Sequence, residues 1–375
     1  MLRLIISLRQ KLPVGGVVFF SLVAFGIVGL PAQLPLRVSA SSPMWQKYTY
    51  RGLVGSRPYF VYTPESYQVG TAVPLIVMLH GCTQTAVDFA TSTRMNQLAD
   101  QYRFIVVYPQ QTSVYSQNLC WNWFKSSNQS RDQGEPAVIA AIVQAVELNT
   151  SNWTIDTNRV YVAGFSAGAA MAVILGATYP DLFAAIGVHS GVEYQAATSS
   201  INSLKVMSQG GPDPQQQGQA AFDAMGTTAR VIPTIVFQGT SDLIVNPVNS
   251  DQVVQQWMQT DHLASNDTYT ADFGNPSSSV SGQVPGGYAY AVSRWNDGQG
   301  DEVQEYWRVE GLGHAWSGGS PGSSYTDPSG PDASLAMFQF FMGHPMSVHV
   351  VRKFISRWHL RTLGERLLDI LTRLS

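Results

Sequence analysis

The chain has 375 residues, 45% apolar and 13% charged, which is enough for one large domain with a full core and excludes an intrinsically disordered chain. Its net charge of −3 hides an uneven spread, because residues 41–343 hold 12 basic against 23 acidic side chains, a net −11 that argues against nucleic acid as a partner. The seven histidines lie scattered without ligand spacing, so neither a metal nor another cofactor is expected.

Residues 1–40 carry Arg3, Arg9, Lys11 and Arg37 and no acid, an apolar run over 14–30, and the small residues Ser39 and Ala40. This is the pattern of a secretory signal peptide, with an uncleaved N-terminal anchor as the competing reading. Either way the body of the protein is expected outside the cytoplasm, extracellular or periplasmic. Alternation around Gly52 and Gly55 predicts a hairpin over 48–62. An unbroken apolar run predicts a strand over 74–81 that is buried on both faces, and the next strand is expected over 104–109. Helices are expected over 85–101 and 136–148. A strand over 159–163 and a helix over 169–175 enclose Gly164-Phe165-Ser166-Ala167-Gly168. Further strands are read at 183–189, 232–239 and 303–309, with helices at 247–259 and 332–342. Segments 191–230 and 261–300, rich in small and polar residues, read as surface excursions or a cap. Strands alternating with helices imply an α/β fold with a mostly parallel sheet covered on both faces.

A serine on a glycine-flanked turn between strand and helix has the form of a nucleophile elbow. Such a serine needs a base to take its proton and a buried carboxylate to orient that base. In the chain order of this architecture the acid comes second and the histidine last. Asp242 follows the 232–239 strand and His314 follows the 303–309 strand, which makes Ser166, Asp242 and His314 the candidate catalytic set. Capping of the next helix is the competing role for Asp242, and a structural role competes for His314. The oxyanion of an acyl-transfer intermediate needs two donors. The N–H of Ala167, directly after the serine, and the N–H of Cys82, in the loop after the strand that ends at His80, are assigned to it.

In an oxidising compartment the isolated pair Cys82 and Cys120 is expected to form a disulfide. It would close a loop of 38 residues, worth about 4 kcal/mol in the chain-entropy model, and would clamp the oxyanion donor. The same bridge would bring Trp121 and Trp123 beside the site as apolar substrate walls, with Trp316 as a further candidate; core packing is the competing role for these tryptophans. The tail 344–375 interleaves apolar residues with Arg352, Lys353, Arg357, Arg361, Arg366 and Arg373 at near-helical spacing. A basic amphipathic helix there would suit peripheral contact with an anionic membrane, or docking on the protein's own acidic body.

With these segments in order, the chain resembles the polyhydroxybutyrate depolymerase family of secreted esterases within the α/β-hydrolase superfamily. The resemblance rests on Leu79 to Gln84, Cys120 to Trp123, Arg159 to Gly168, Gly239 to Asp242, Gly313 to Gly319 and the stretch from Tyr325 to Ala333. It implies an α/β-hydrolase fold over 41–343, triad roles for Ser166, Asp242 and His314, and an oxyanion role for Cys82. It also implies an ester substrate, with feruloyl and acetylxylan esterases as related alternatives. Depolymerases of the family usually add a linker and a polymer-binding domain. Only 32 residues follow Gly343 here, so short-chain or oligomeric hydroxyalkanoate esters are expected rather than crystalline polymer. A non-catalytic secreted binding protein on the same scaffold is the remaining alternative.

Overall fold

The computed structural model describes residues 44–346. The expected signal segment and nearly all of the basic tail lie outside them. β1 (Met44–Gly52) and β2 (Gly55–Thr63) form the expected hairpin. Then come β3 (Val73–Leu79), α1 (Ala86–Thr93), α2 (Met95–Tyr102), β4 (Ile105–Pro109), α3 (Gly134–Leu148), β5 (Ile155–Phe165), α4 (Ala167–Thr178) and β6 (Ala185–His189). The second half holds α5 (Ser200–Gln209), α6 (Pro214–Met225), β7 (Thr234–Gly239), α7 (Val248–Ala264), β8 (Ser278–Gln283), β9 (Ala289–Asn296), β10 (Glu302–Val309) and α8 (Ala333–Gly343).

Ten strands form one sheet in the order β1-β2-β4-β3-β5-β6-β7-β10-β9-β8. The six from β4 to β10 run parallel to one another, and an antiparallel hairpin closes each edge. Every residue of β3, β4, β6 and β7 is buried, as continuous apolar runs require when helices cover both faces. One face packs the apolar sides of α3, α4 and α7. The other packs α1, α2 and α8, where Phe341 stacks on Tyr161 of β5 at 4.8 Å between ring centres.

This topology positions the site. From β3 the chain turns to α1 on one face and then β4 on one side; from β5 it turns to α4 on the other face and then β6 on the other side. The loops leaving the C-terminal ends of β3 and β5 therefore diverge, opening a crevice where open α/β sheets bind ligands.

Two expectations change and a third gains detail. The single helix over 85–101 is two helices, because Arg94 adopts a left-handed conformation (φ 58°, ψ 19°) between them. The hydroxyl run Thr91-Ser92-Thr93 precedes that break, and Thr91 and Thr93 turn their side chains back onto the carbonyls of Val87 and Phe89. The segment 261–300 is not merely a surface excursion: it ends α7 and supplies β8 and β9, the outermost strands of one sheet edge. Within 191–230 lie α5 and α6, the latter started by Pro214 and capped by Asp213, whose side chain accepts the Gln215 N–H at 2.9 Å. Among the described residues no helix is long and apolar enough to cross a membrane.

Candidate active site

Ser166 joins the end of β5 to the first turn of α4 with φ 56° and ψ −119°, a conformation L-residues rarely adopt. Two neighbours explain why the strain is held. The Ser166 N–H donates to the His189 carbonyl at 2.9 Å, and the Ser166 carbonyl accepts the first helical N–H, from Ala170, at 3.0 Å. The flanking glycines are sterically required. A Cβ on Gly168 would fall 2.0 Å from the Leu79 carbonyl oxygen, and one on Gly164 would fall 2.3 Å from the backbone of Gly168. Strand, turn and helix thus approach more closely than any side chain permits.

The loops after β7 and β10 are zipped together. The Thr240 N–H donates to the Val309 carbonyl and the Ser241 N–H to the Leu312 carbonyl, both at 3.0 Å, while the Gly311 N–H donates to the Thr240 hydroxyl at 2.9 Å. That pairing brings Asp242 against His314, with 2.7 Å between Asp242 Oδ2 and His314 Nδ1. The Asp242 side chain is wholly buried. Its other oxygen accepts the N–H groups of Ile244 and Val245, each at 2.9 Å. Burial pushes this carboxyl up, but the His314 hydrogen bond and charge and the two backbone donors outweigh it and hold the carboxyl below its usual range. Since an ionised carboxylate only accepts, the His314 proton belongs on Nδ1 and the lone pair on Nε2. Asp242 does not cap α7, whose first N–H groups include Val248, donating to Asn246 Oδ1 at 3.1 Å. The His314 ring lies against Phe165, the residue before Ser166, at 4.7 Å between centres. Ser166, Asp242 and His314 therefore gather at one rim of the sheet.

A pocket of about 470 Å³ opens over Ser166. Its lining includes Cys82, Ala167, Trp123, Phe124, Leu204 and Met207. Ala167 starts α4, so its N–H has no intrahelical acceptor and is available to a ligand. The Cys82–Cys120 disulfide is present, and beside it the Thr83 N–H donates to the Asn118 carbonyl at 2.7 Å. A larger groove of about 650 Å³ lies at Arg294, Glu302, Glu305 and His344 and touches none of these residues.

Two expected substrate walls are corrected. Trp121 is fully buried and packs on His80, 5.5 Å between ring centres. Trp316 is 1% exposed and lies in the core beneath α8: it stacks on His189 and its indole N–H donates to the Ser334 hydroxyl at 3.1 Å. Both rings are core, and of the three tryptophans only Trp123 lines the pocket. Sequence reasoning gave no joint role to His80, Gln111, Asn122 and Glu135, which form a buried polar cluster beside the Cys82–Cys120 bridge. A carboxylate opening an otherwise apolar helix, and an Asn between two tryptophans, were its only local signals.

The profile of the family described as Esterase PHB depolymerase matches residues 58–272, more than half of the chain. The chain belongs to this esterase family. Among relatives of the PHB depolymerase family, poly(3-hydroxyalkanoate) depolymerase C of Paucimonas lemoignei is 34% identical over 287 residues, covering 76% of this chain and 64% of that protein. Probable acetylxylan esterase A of Neosartorya fischeri is 32% identical over 250 residues, covering 64% of this chain and 66% of that protein. The chain thus spans just under two thirds of the length of these relatives. The solved acetyl xylan esterase from Aspergillus awamori superposes with a TM-score of 0.63 at 24% identity, over 80% of this chain and 99% of that one. The fold is that of the α/β-hydrolases.

Proposed function

We propose that this chain is a secreted serine esterase that cleaves short-chain or oligomeric hydroxyalkanoate esters. The observation that carries the reading is the buried Asp242–His314 pair set against the Ser166 elbow in the lining of the pocket. Ser166 Oγ attacks the ester carbonyl while His314 Nε2 takes its proton, and Asp242 holds the imidazole and steadies the imidazolium. The N–H groups of Cys82 and Ala167 receive the negative charge on the former carbonyl oxygen. On collapse the C–O bond breaks and the alcohol leaves with the proton from His314. Water then repeats the sequence on the acyl-serine, releasing the acid and restoring the hydroxyl. The PHB depolymerase-family membership supports the hydroxyalkanoate substrate, and the size and mixed lining of the pocket suit a short acyl group. Export is supported by the basic and apolar pattern of residues 1–40 and by the disulfide.

The likeness to acetylxylan esterases favours a second reading, a carbohydrate ester as substrate. Turnover of p-nitrophenyl butyrate, hydroxybutyrate oligomers, acetylxylan and a feruloyl ester by the purified chain separates the two. Ser166→Ala is expected to lower every detected activity by at least about a thousandfold with unchanged circular dichroism. Near-parental turnover by that variant refutes the assignment.

A further inference from the structure

Glu135, the second residue of α3, is 5% exposed and lies outside the pocket, yet four donors converge on it. Arg57 Nη2 reaches Oε1 at 3.1 Å, Gln111 Nε2 at 2.5 Å and Asn122 Nδ2 at 2.8 Å, while the Asn122 backbone N–H donates to Oε2 at 2.6 Å. Two of the donor residues, Asn122 and Gln111, connect Glu135 to the pocket and the disulfide. Asn122 sits between the disulfide cysteine Cys120 and the pocket-lining Trp123. Gln111 Nε2 also donates to the Cys120 carbonyl at 3.0 Å.

Gln111 extends the chain of contacts towards Ser166. Its backbone N–H donates to His80 Nε2 at 3.1 Å, so the imidazole proton must sit on Nδ1. Nδ1–H in turn donates to the Gly81 carbonyl at 2.8 Å. Burial lowers the His80 pKa to about 4, which keeps this arrangement through neutral pH. The Gly81 carbonyl and the Cys82 N–H are two ends of one peptide plane, and no described peptide bond is cis. A donor pinned to the carbonyl end therefore aims the N–H end in the opposite direction. It also polarises the peptide and strengthens that N–H as a donor.

From this connectivity we propose that Glu135 is a positioning residue: through Gln111 and His80 it sets the direction of the Cys82 N–H, and through Asn122 and Gln111 it fixes the Cys120 end of the same bridge. The proposal rests on the esterase reading above. A carboxylate is required because a glutamine of equal size would turn an NH₂ group towards donors that need an acceptor. The donor it aims acts on charge that exists only in the transition state, so its misplacement appears in kcat rather than KM.

The test uses the full chain with Glu135→Gln and, separately, Gln111→Met, which leaves the Glu135–Arg57 pair in place. Turnover of p-nitrophenyl butyrate and inhibition by butylboronic acid, which forms a tetrahedral adduct, are measured beside thermal melting. The expected result is a fall in kcat of about thirtyfold with KM changed less than about threefold, and boronate affinity weakened in step with kcat. If Glu135→Gln does not fold, Gln111→Met decides alone. A folded variant with kcat within about threefold of the parent, or with boronate affinity unchanged, overturns the positioning role while leaving the esterase reading intact. A parent chain without Ser166-dependent turnover overturns both.

Discussion

Two parts of the pocket lining are built on different terms. The part that carries Cys82, Cys120 and Trp123 is cross-linked by the disulfide and backed by the buried Glu135 cluster, with Trp121, Asn122 and Trp123 at most 7% exposed. Another part of the lining is contributed by α5, a helix in which only Ser203 and Val206 are buried and Ile201 is 81% exposed. The contrast follows the chemistry. Donors to a developing oxyanion must be held before the charge appears, whereas a surface that accepts an acyl or alcohol group needs shape rather than sub-ångström placement.

The contrast can be broken most directly at the disulfide. Cys120→Ser should cost about 2–5 kcal/mol of stability, read as a lowered urea midpoint, and should lower esterase kcat as the oxyanion loop loosens. Ile201→Ser, on the exposed side of α5, should leave the midpoint unchanged within about 0.5 kcal/mol. Equal midpoints for both variants would erase the distinction. A smaller effect sharpens it from the other side. Glu193, on the segment after β6, is 3% exposed, and neither carboxylate oxygen has a hydrogen-bond partner among the described residues. Burial, with Asp213 adding to it, pushes its carboxyl up from 4.5 to about 8. The folded protein therefore keeps a proton there that the unfolded chain loses, and the stability this contributes is present at low pH and lost as pH rises through about 8. Glu193→Gln should melt with the parent near pH 5 and about 3 °C above it near pH 8.5. Parallel melting curves across that range would contradict the account.

Much of this was legible in the sequence because the signals are local. Ser166, Asp242 and His314 each follow an apolar run that could be read as a strand, and the glycines around Ser166 mark a turn no other residue fits. β3 and β4 were readable because burial on both faces leaves them almost without polar positions. β8 and β9 were hidden for the opposite reason: edge strands facing water on one side carry Ser, Gly and Gln, as loops do. The tryptophans show another limit. Proximity in sequence to His314 placed Trp316 near the site, but which way a loop side chain turns is decided by the helix packed beneath it. The Glu135 cluster was illegible because its members are 13, 24 and 78 residues from Glu135 along the chain, and only the folded sheet brings them together.

The central claim is that one serine hydroxyl, on the turn between β5 and α4, is activated by the His314–Asp242 pair. Intact-mass and peptide mapping after treatment with a fluorophosphonate tests it without choosing a substrate. A single adduct on Ser166, lost in His314→Gln, is the predicted result. An unmodified chain, or an adduct on Ser190 in the same pocket instead, would contradict it.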